Sequence, residues 1–253
     1  MTRFFLLVLP LLTLASCTLI SPSPKFAMSV PPAFSEAVER RIYRPGDPLT
    51  DSAMYRRMFP KYRAKHPIAR LDGRWVDPSF TTYRESGLYY GWIKHRGWTV
   101  EVERSASQKV MQALQTKDGY EARLGFALNA SARIYPRFRH EHFSWGEAVS
   151  FLVQYQNDNT NYVPNNGMLQ YEVHGTTSDQ RYTIRAMFGL THPRLREFGP
   201  GMHDHRDDAA PPNSPMRRDR DYVLVERCSD DAFQPSIKAI KAMLDTIKLG
   251  VSD

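Results

Sequence analysis

Cysteine is scarce in this chain of 253 residues, which has only Cys17 and Cys228. Two thiols so far apart exclude a disulfide-stapled scaffold, and the fold must rest on a hydrophobic core. A membrane-spanning run is also missing at the N-terminus. The apolar stretch Phe4 to Leu14 is interrupted by Pro10 and falls short of the roughly twenty residues that cross a bilayer. No Gly-x-Ser-x-Gly elbow and no phosphate-cradling glycine loop occurs, so the usual signatures of serine nucleophiles and phosphate-binding loops are absent. There is no internal repeat. Apolar residues make up 42% of the chain, enough for a packed core and too many for wholesale disorder.

The N-terminus is the most specific segment. Arg3 precedes the apolar run, and Leu14-Ala15-Ser16-Cys17 closes it. A basic start, an apolar centre and a small-residue exit compose a secretory signal. The last four positions resemble the lipobox of bacterial lipoproteins. That resemblance implies that 1–16 is a signal peptide removed after Ser16. It also implies a diacylglyceryl thioether on Cys17 and a further fatty acid, such as palmitate, on the freed amine. Two or three acyl chains hold a protein far more firmly than one. Thr18 stands where that family places Asp in proteins kept at the inner membrane, which implies an outer-membrane address in a Gram-negative cell. The competing reading is cleavage after Ala15, leaving Cys17 as a thiol with Cys228 as its possible disulfide partner.

From Cys17 the chain is rich in Ser and Pro with no hydrophobic period, so 17–33 reads as a lipid-anchored tether. The remainder, 34–250, is long enough for a single globular domain. The net charge is +7, and Arg40, Arg41, Arg56, Arg57, Lys61, Arg63 and Lys65 concentrate it in one part of the chain. Such a cluster is either a solvated basic face or a surface for headgroup or lipopolysaccharide phosphates. An exported, tethered chain is not expected to meet nucleic acid.

Period-2 patterns dominate the domain. Tyr120 to Ile134 alternates apolar and polar residues, as do Val149 to Tyr155, Leu169 to Val173 and Tyr182 to Leu190. Leu88, Tyr90 and Trp92 share one parity, as do Trp98, Val100 and Val102, which predicts a hairpin around Arg96-Gly97. Ser178-Asp179 predicts a second tight connection. Helices are expected over Phe34 to Tyr43, Ala53 to Phe59, Ser105 to Gln115 and, capped by Asp230 or Asp231, over Phe233 to Ile247. The predicted class is α+β: a mainly antiparallel sheet with one face covered by a C-terminal amphipathic helix, plus one or two shorter helices. A strand at Tyr222 to Val225 followed by that helix loosely resembles the end of PsbP/Mog1-type domains, a similarity that carries no functional residues.

Candidate chemistry is sparse. His140-Glu141-His142 puts two imidazoles on one side of a strand, and His203-Asp204-His205, with Asp207 and Asp208, forms a second cluster. His140, His142, His203 and His205 are ligand types suited to zinc. The second cluster lies in 194–221, which is dense in Pro, Gly, Asp and Arg and reads as a mobile surface loop, its six basic and six acidic residues in balance. Gln154 to Gly167 sets amides beside aromatics. There Tyr155, Asn157, Asp158, Asn161 and Tyr162 form a candidate ligand surface, because rings stack on sugar faces while amides bond hydroxyls. The same stretch is compatible with a polar hairpin loop, and it lacks the calcium spacing of an EF-hand. Trp75, Trp92, Trp98 and Trp145 are candidates for a pocket lining or for core packing. Glu101 and Glu103, at i and i+2, read as a hydrophilic strand face rather than an acid/base pair. No base adjoins Cys228, so it reads as a small core residue.

The sequence thus favours a non-enzymatic, membrane-anchored envelope lipoprotein that binds an envelope protein or a surface glycan, with no cofactor. The alternative is a secreted metal-dependent hydrolase using the two histidine clusters.

Overall fold

The computed structural model describes residues 24–47, 63–74, 97–115, 131–134, 137–156, 164–166, 169–195 and 220–250. Its strands are β1 (Phe26–Ala27), β2 (Glu36–Tyr43), β3 (Ile68–Arg74), β4 (Gly97–Glu103), β5 (Ser131–Ile134), β6 (Arg139–Phe143), β7 (Gly146–Gln156), β8 (Gln170–Thr177), β9 (Thr183–Gly189) and β10 (Lys248–Leu249). Its helices are α1 (Gln108–Gln115), α2 (Arg220–Arg227) and α3 (Ile237–Asp245).

Alternation along the strands becomes two faces of one antiparallel sheet. Among the described residues the order is β2-β3-β4-β9-β8-β7, with β5 and β6 both pairing with β7. Trp98 stands opposite Phe188, Val100 opposite Ala186 and Val102 opposite Ile184. Leu71, Tyr171, Val173 and Leu152 continue that apolar surface through the neighbouring strands. Against it pack Ile237, Ile240, Met243 and Leu244 of α3. Each such side chain stabilises the fold by about 1.5–3 kcal/mol when fully buried, so the helix is integral to the domain. The sheet's other face carries Val149, Phe151 and Val153, which share a smaller core with Ala113 of α1.

The hairpins obey local rules. Between β6 and β7 the chain turns at Ser144-Trp145 into Gly146, whose φ of +155° suits glycine. A Cβ there would lie 2.2 Å from the Thr176 carbonyl oxygen. Between β8 and β9, Asp179 accepts hydrogen bonds from the Thr177 hydroxyl at 2.6 Å and from the Arg181 backbone N–H at 3.1 Å. The predicted α+β class, the long antiparallel sheet, α1, the Ser178-Asp179 turn and the covering C-terminal helix are all present.

Several local expectations change. Glu36–Tyr43 is an edge strand paired with β3, not a helix. Tyr222 to Val225 lies within α2, not a strand, which removes the basis of the PsbP/Mog1 resemblance. The closing helix starts after Ser236, whose hydroxyl accepts the Ala239 N–H, so neither Asp230 nor Asp231 caps it. Phe233 and Ile247 flank the helix yet remain buried in the same core. Part of the expected tether belongs to the fold: Phe26 is buried and pairs with Leu249, and Ser29 donates its N–H to Thr246 Oγ1 at 2.9 Å. The expected loop 194–221 is narrower at both ends, because Leu195 is buried and Arg220-Asp221 begin α2. The expected helix at Ala53 to Phe59, the segment Leu88 to Trp92 and most of Tyr120 to Ser131 lie outside the described residues. β4 is paired along both edges, with β3 and β9, so Trp98 to Val102 is not half of the hairpin expected around Arg96-Gly97.

Candidate functional site

Antiparallel register aligns a lateral row of charges on the face that carries α1. Arg70 of β3 stands opposite Glu101 of β4, Glu101 opposite Arg185 of β9, and Arg185 opposite His174 of β8. Period-2 geometry causes this, since one parity of four adjacent strands must share a face. The groups satisfy one another. Arg70 Nε donates to both oxygens of Asp72 at 2.8 Å, and its terminal nitrogens reach Glu101 Oε1 at 3.4 Å and Thr99 Oγ1 at 3.5 Å. The Thr99 hydroxyl donates to Asp72 at 2.6 Å, and Arg185 lies 3.0 Å from Glu103. Next to them, His174 Nε2 and Glu172 Oε2 are 2.7 Å apart and fully buried, with the imidazole stacked on Phe151.

Glu101 and Glu103 therefore share a face, as their spacing required, but they are buried rather than solvent-facing. Burial pushes the Glu101 carboxyl above its ordinary range, against the pull of the Arg70 and Arg185 guanidinium groups. The row is an internal ladder in which Arg70 meets Glu101, Arg185 meets Glu103 and His174 meets Glu172.

A second polar cluster joins α3 to the opposite, apolar face. Lys241 Nζ lies 2.6 Å from Glu141 Oε1 and 3.4 Å from Asp230 Oδ2. The Ser150 hydroxyl donates to the same Glu141 oxygen at 2.8 Å, while Arg137 and Arg139 both bind Asp230. Burial and the Glu141 charge push the Tyr171 hydroxyl well above its usual range, so it stays protonated. Cys228 sits at the rim of this cluster. Arg137 donates to its carbonyl oxygen at 2.6 Å and approaches its sulfur at 3.6 Å. Burial nevertheless raises the thiol, with Arg137 opposing, so Cys228 is a protonated packing residue rather than an activated nucleophile.

The histidines on β6 occupy an open edge. His140 and His142 share a side of the strand, as expected, and both are exposed. His142 Nδ1 is 3.8 Å from Glu147 Oε1, and the His140 ring meets Phe138 edge-on. Among the described residues no three His, Cys, Asp or Glu side chains converge on a metal position. His203 and His205 lie outside the described residues, as does Cys17.

The amide-rich stretch divides similarly. The backbone of Tyr155 belongs to β7 opposite Ala132, while Asn157, Asp158, Asn161 and Tyr162 lie outside the described residues. The flanks of the stretch are structural: Asn165 donates from its backbone N–H and its side chain to Gln154 Oε1, each at 3.2 Å. Asn166 Oδ1 accepts the His192 N–H at 2.7 Å, and its amide donates to the Leu195 carbonyl at 3.2 Å. Polar residues at strand ends gave no signal that they would be interior. Trp98 and Trp145 are core residues whose indole N–H groups donate to Phe34 O at 2.9 Å and Leu244 O at 3.0 Å. Trp75 and Trp92 lie outside the described residues.

The junction between tether and domain is ordered by pairing. Phe26 opposes Leu249 and Ala27 opposes Lys248, and the Gly250 N–H donates to the Lys25 carbonyl at 3.0 Å. Beside this ribbon runs a shallow groove lined by Met28, Ser29, Ser144 and Thr246. No helix among the described residues is long and apolar enough to cross a membrane. No family model matches the chain, and neither a curated protein nor a solved structure matches it.

Proposed function

We propose that the chain is a bacterial envelope lipoprotein, acylated on Cys17 and addressed to the outer membrane, that acts by binding an envelope protein or a surface glycan. The observation that carries this reading is the junction at Phe26, nine positions after Cys17. There the chain enters the fold at a two-stranded ribbon with one side buried in the core and the other exposed, an arrangement that suits an anchored module. Action by binding is supported by the two charged clusters, whose members neutralise one another within the fold. The exposed His142, on the edge strand β6, offers a point of contact for a partner.

Metabolic labelling with a palmitate analogue tests the anchor. Incorporation in the native chain and its loss in Cys17→Ser are expected; label retained in Cys17→Ser, or absent from the native chain, sinks the lipoprotein reading. In-cell crosslinking through a photoreactive residue at His142 tests the mode of action. A recurrent envelope partner supports binding, and none in any growth condition counts against it.

A further inference from the structure

The ribbon of β1 and β10 has two unlike sides. Phe26 and Leu249 are partners that turn into the core. Ala27 and Lys248 are partners of the other parity and, with Lys25 and Gly250, make up the outward side. All four outward residues are exposed, and a Cβ built on Gly250 would meet nothing within 4 Å. The outward side is therefore formed from two small residues and two lysines, of which Ala27 and Lys248 also line the adjoining groove. Arg40 belongs to the Phe26 side instead: its guanidinium donates to the Phe26 carbonyl at 2.7 Å and lies 5.6 Å above the Phe26 ring, which leaves the two lysines as the cations of the outward side. In the adjoining groove the carboxylate is Asp245, which accepts the Ser144 N–H at 2.6 Å.

We propose that this basic ribbon lies against the bilayer, with a layer of anionic phospholipid headgroups as its partner. The inference rests on acylation of Cys17. Between that residue and Phe26 lie only residues 18–25, a stretch that spans at most about 28 Å when fully extended. The ribbon is the first part of the fold that the anchored chain reaches, so no other described surface is tied as closely to the membrane. Its charge complements phosphate-bearing headgroups, and each lysine near an anionic leaflet raises occupancy of the docked orientation by about five-fold. Docking there directs the opposite face of the sheet, with α1, away from the lipid.

The test uses the acylated full chain in vesicles of phosphatidylcholine with or without phosphatidylglycerol. A fluorophore is placed at Ala27→Cys, or for comparison at Glu147→Cys on the opposite face, each in a Cys228→Ser background. A quencher carried on the headgroups reports proximity. Stronger quenching at position 27 than at 147 is expected, increasing several-fold with phosphatidylglycerol and falling in high salt. Lys25→Gln combined with Lys248→Gln should abolish the increase. Equal quenching at the two positions, or indifference to phosphatidylglycerol and to the lysines, overturns the proposal. Mass measurement of the same preparation separates the two ideas. A chain without acyl groups sinks both, whereas an acylated chain with an unquenched ribbon sinks the docked orientation alone.

Discussion

Lys241 Nζ, on the helix that closes the core, lies 2.6 Å from Glu141 Oε1 on an edge strand. The contact ties α3 to β6, and Asp230 and Ser150 complete it from two other directions. Both side chains are mostly withdrawn from solvent, at 22% and 15% exposure, so each offsets part of the hydration that the other has lost.

Removing one partner should hence cost more than removing both. Lys241→Ala is expected to destabilise the domain by about 1–3 kcal/mol, below the full penalty of a completely buried pair. Lys241→Met combined with Glu141→Gln should recover part of that loss. Urea denaturation of the three proteins checks the order, and a double variant weaker than Lys241→Ala would contradict it.

Glu101 predicts a pH effect with a definite sign. Its raised value means that folding shifts the carboxyl toward its neutral form relative to the unfolded chain. The side chain then adds stability below the ordinary value of 4.5 and loses it as pH rises through the raised one. Glu101→Gln should flatten that decline and unfold at higher urea than the native protein at neutral pH. If the two proteins keep parallel profiles from acid to neutral pH, the decline arises at another group.

Asp179 behaves in the opposite sense. The Thr177 hydroxyl first, then the Arg181 backbone N–H and guanidinium, hold its carboxyl down at about 2 from an ordinary 3.8. Its contribution is present above the ordinary value and disappears as pH falls toward the lowered one. Asp179→Asn should speed amide exchange through the turn from Ser178 to Tyr182, with the native protein approaching the variant in strong acid. Unchanged exchange in the variant would show that the β8–β9 turn holds without this carboxylate.

Two glycines mark where indole rings need space. A Cβ on Gly73 would lie 2.4 Å from the Trp98 ring, and one on Gly175 would lie 2.6 Å from the Trp145 ring and 2.7 Å from the Glu147 carbonyl oxygen. Gly175→Ala faces backbone as well as side chain, so it should cost more than Gly73→Ala, with both near 1–3 kcal/mol by the usual scale of overpacking, about that of one misplaced methylene or two. Denaturation midpoints with tryptophan fluorescence give the ranking, and equal midpoints would remove the role assigned to the backbone.

Metal analysis separates binding from metal-dependent hydrolysis. The purified full chain is expected to hold no stoichiometric zinc after equilibration with the ion, and His140→Ala with His142→Ala should leave its melting temperature in zinc unchanged. Stoichiometric zinc that is lost in those variants would restore the hydrolase reading.

Strand parity made the sheet legible in the sequence, because one buried face forces alternation in Trp98, Val100 and Val102 and again in β9. β2 escaped because Glu36, Ala37, Glu39, Arg40 and Arg41 favour helix locally, while pairing with β3 decides the outcome. At Tyr222 to Val225 the error ran the other way: residues with strand preference were recruited into α2, where Val225 joins the core. Neither the Arg70–Glu101 contact nor the Glu141–Lys241 contact was legible. Each joins residues far apart in sequence, and single-residue patterns say nothing of which charges will meet. The His140 and His142 alignment was legible because it needs only the period of one strand.

The pairing of Phe26 with Leu249 also constrains the order of assembly. The two partners lie near opposite ends of the chain, so loop closure between them is among the most demanding in the fold. The domain's clasp therefore waits on contacts made elsewhere: Phe26 has no strand mate until packing of α3 against the sheet sets Leu249 in place.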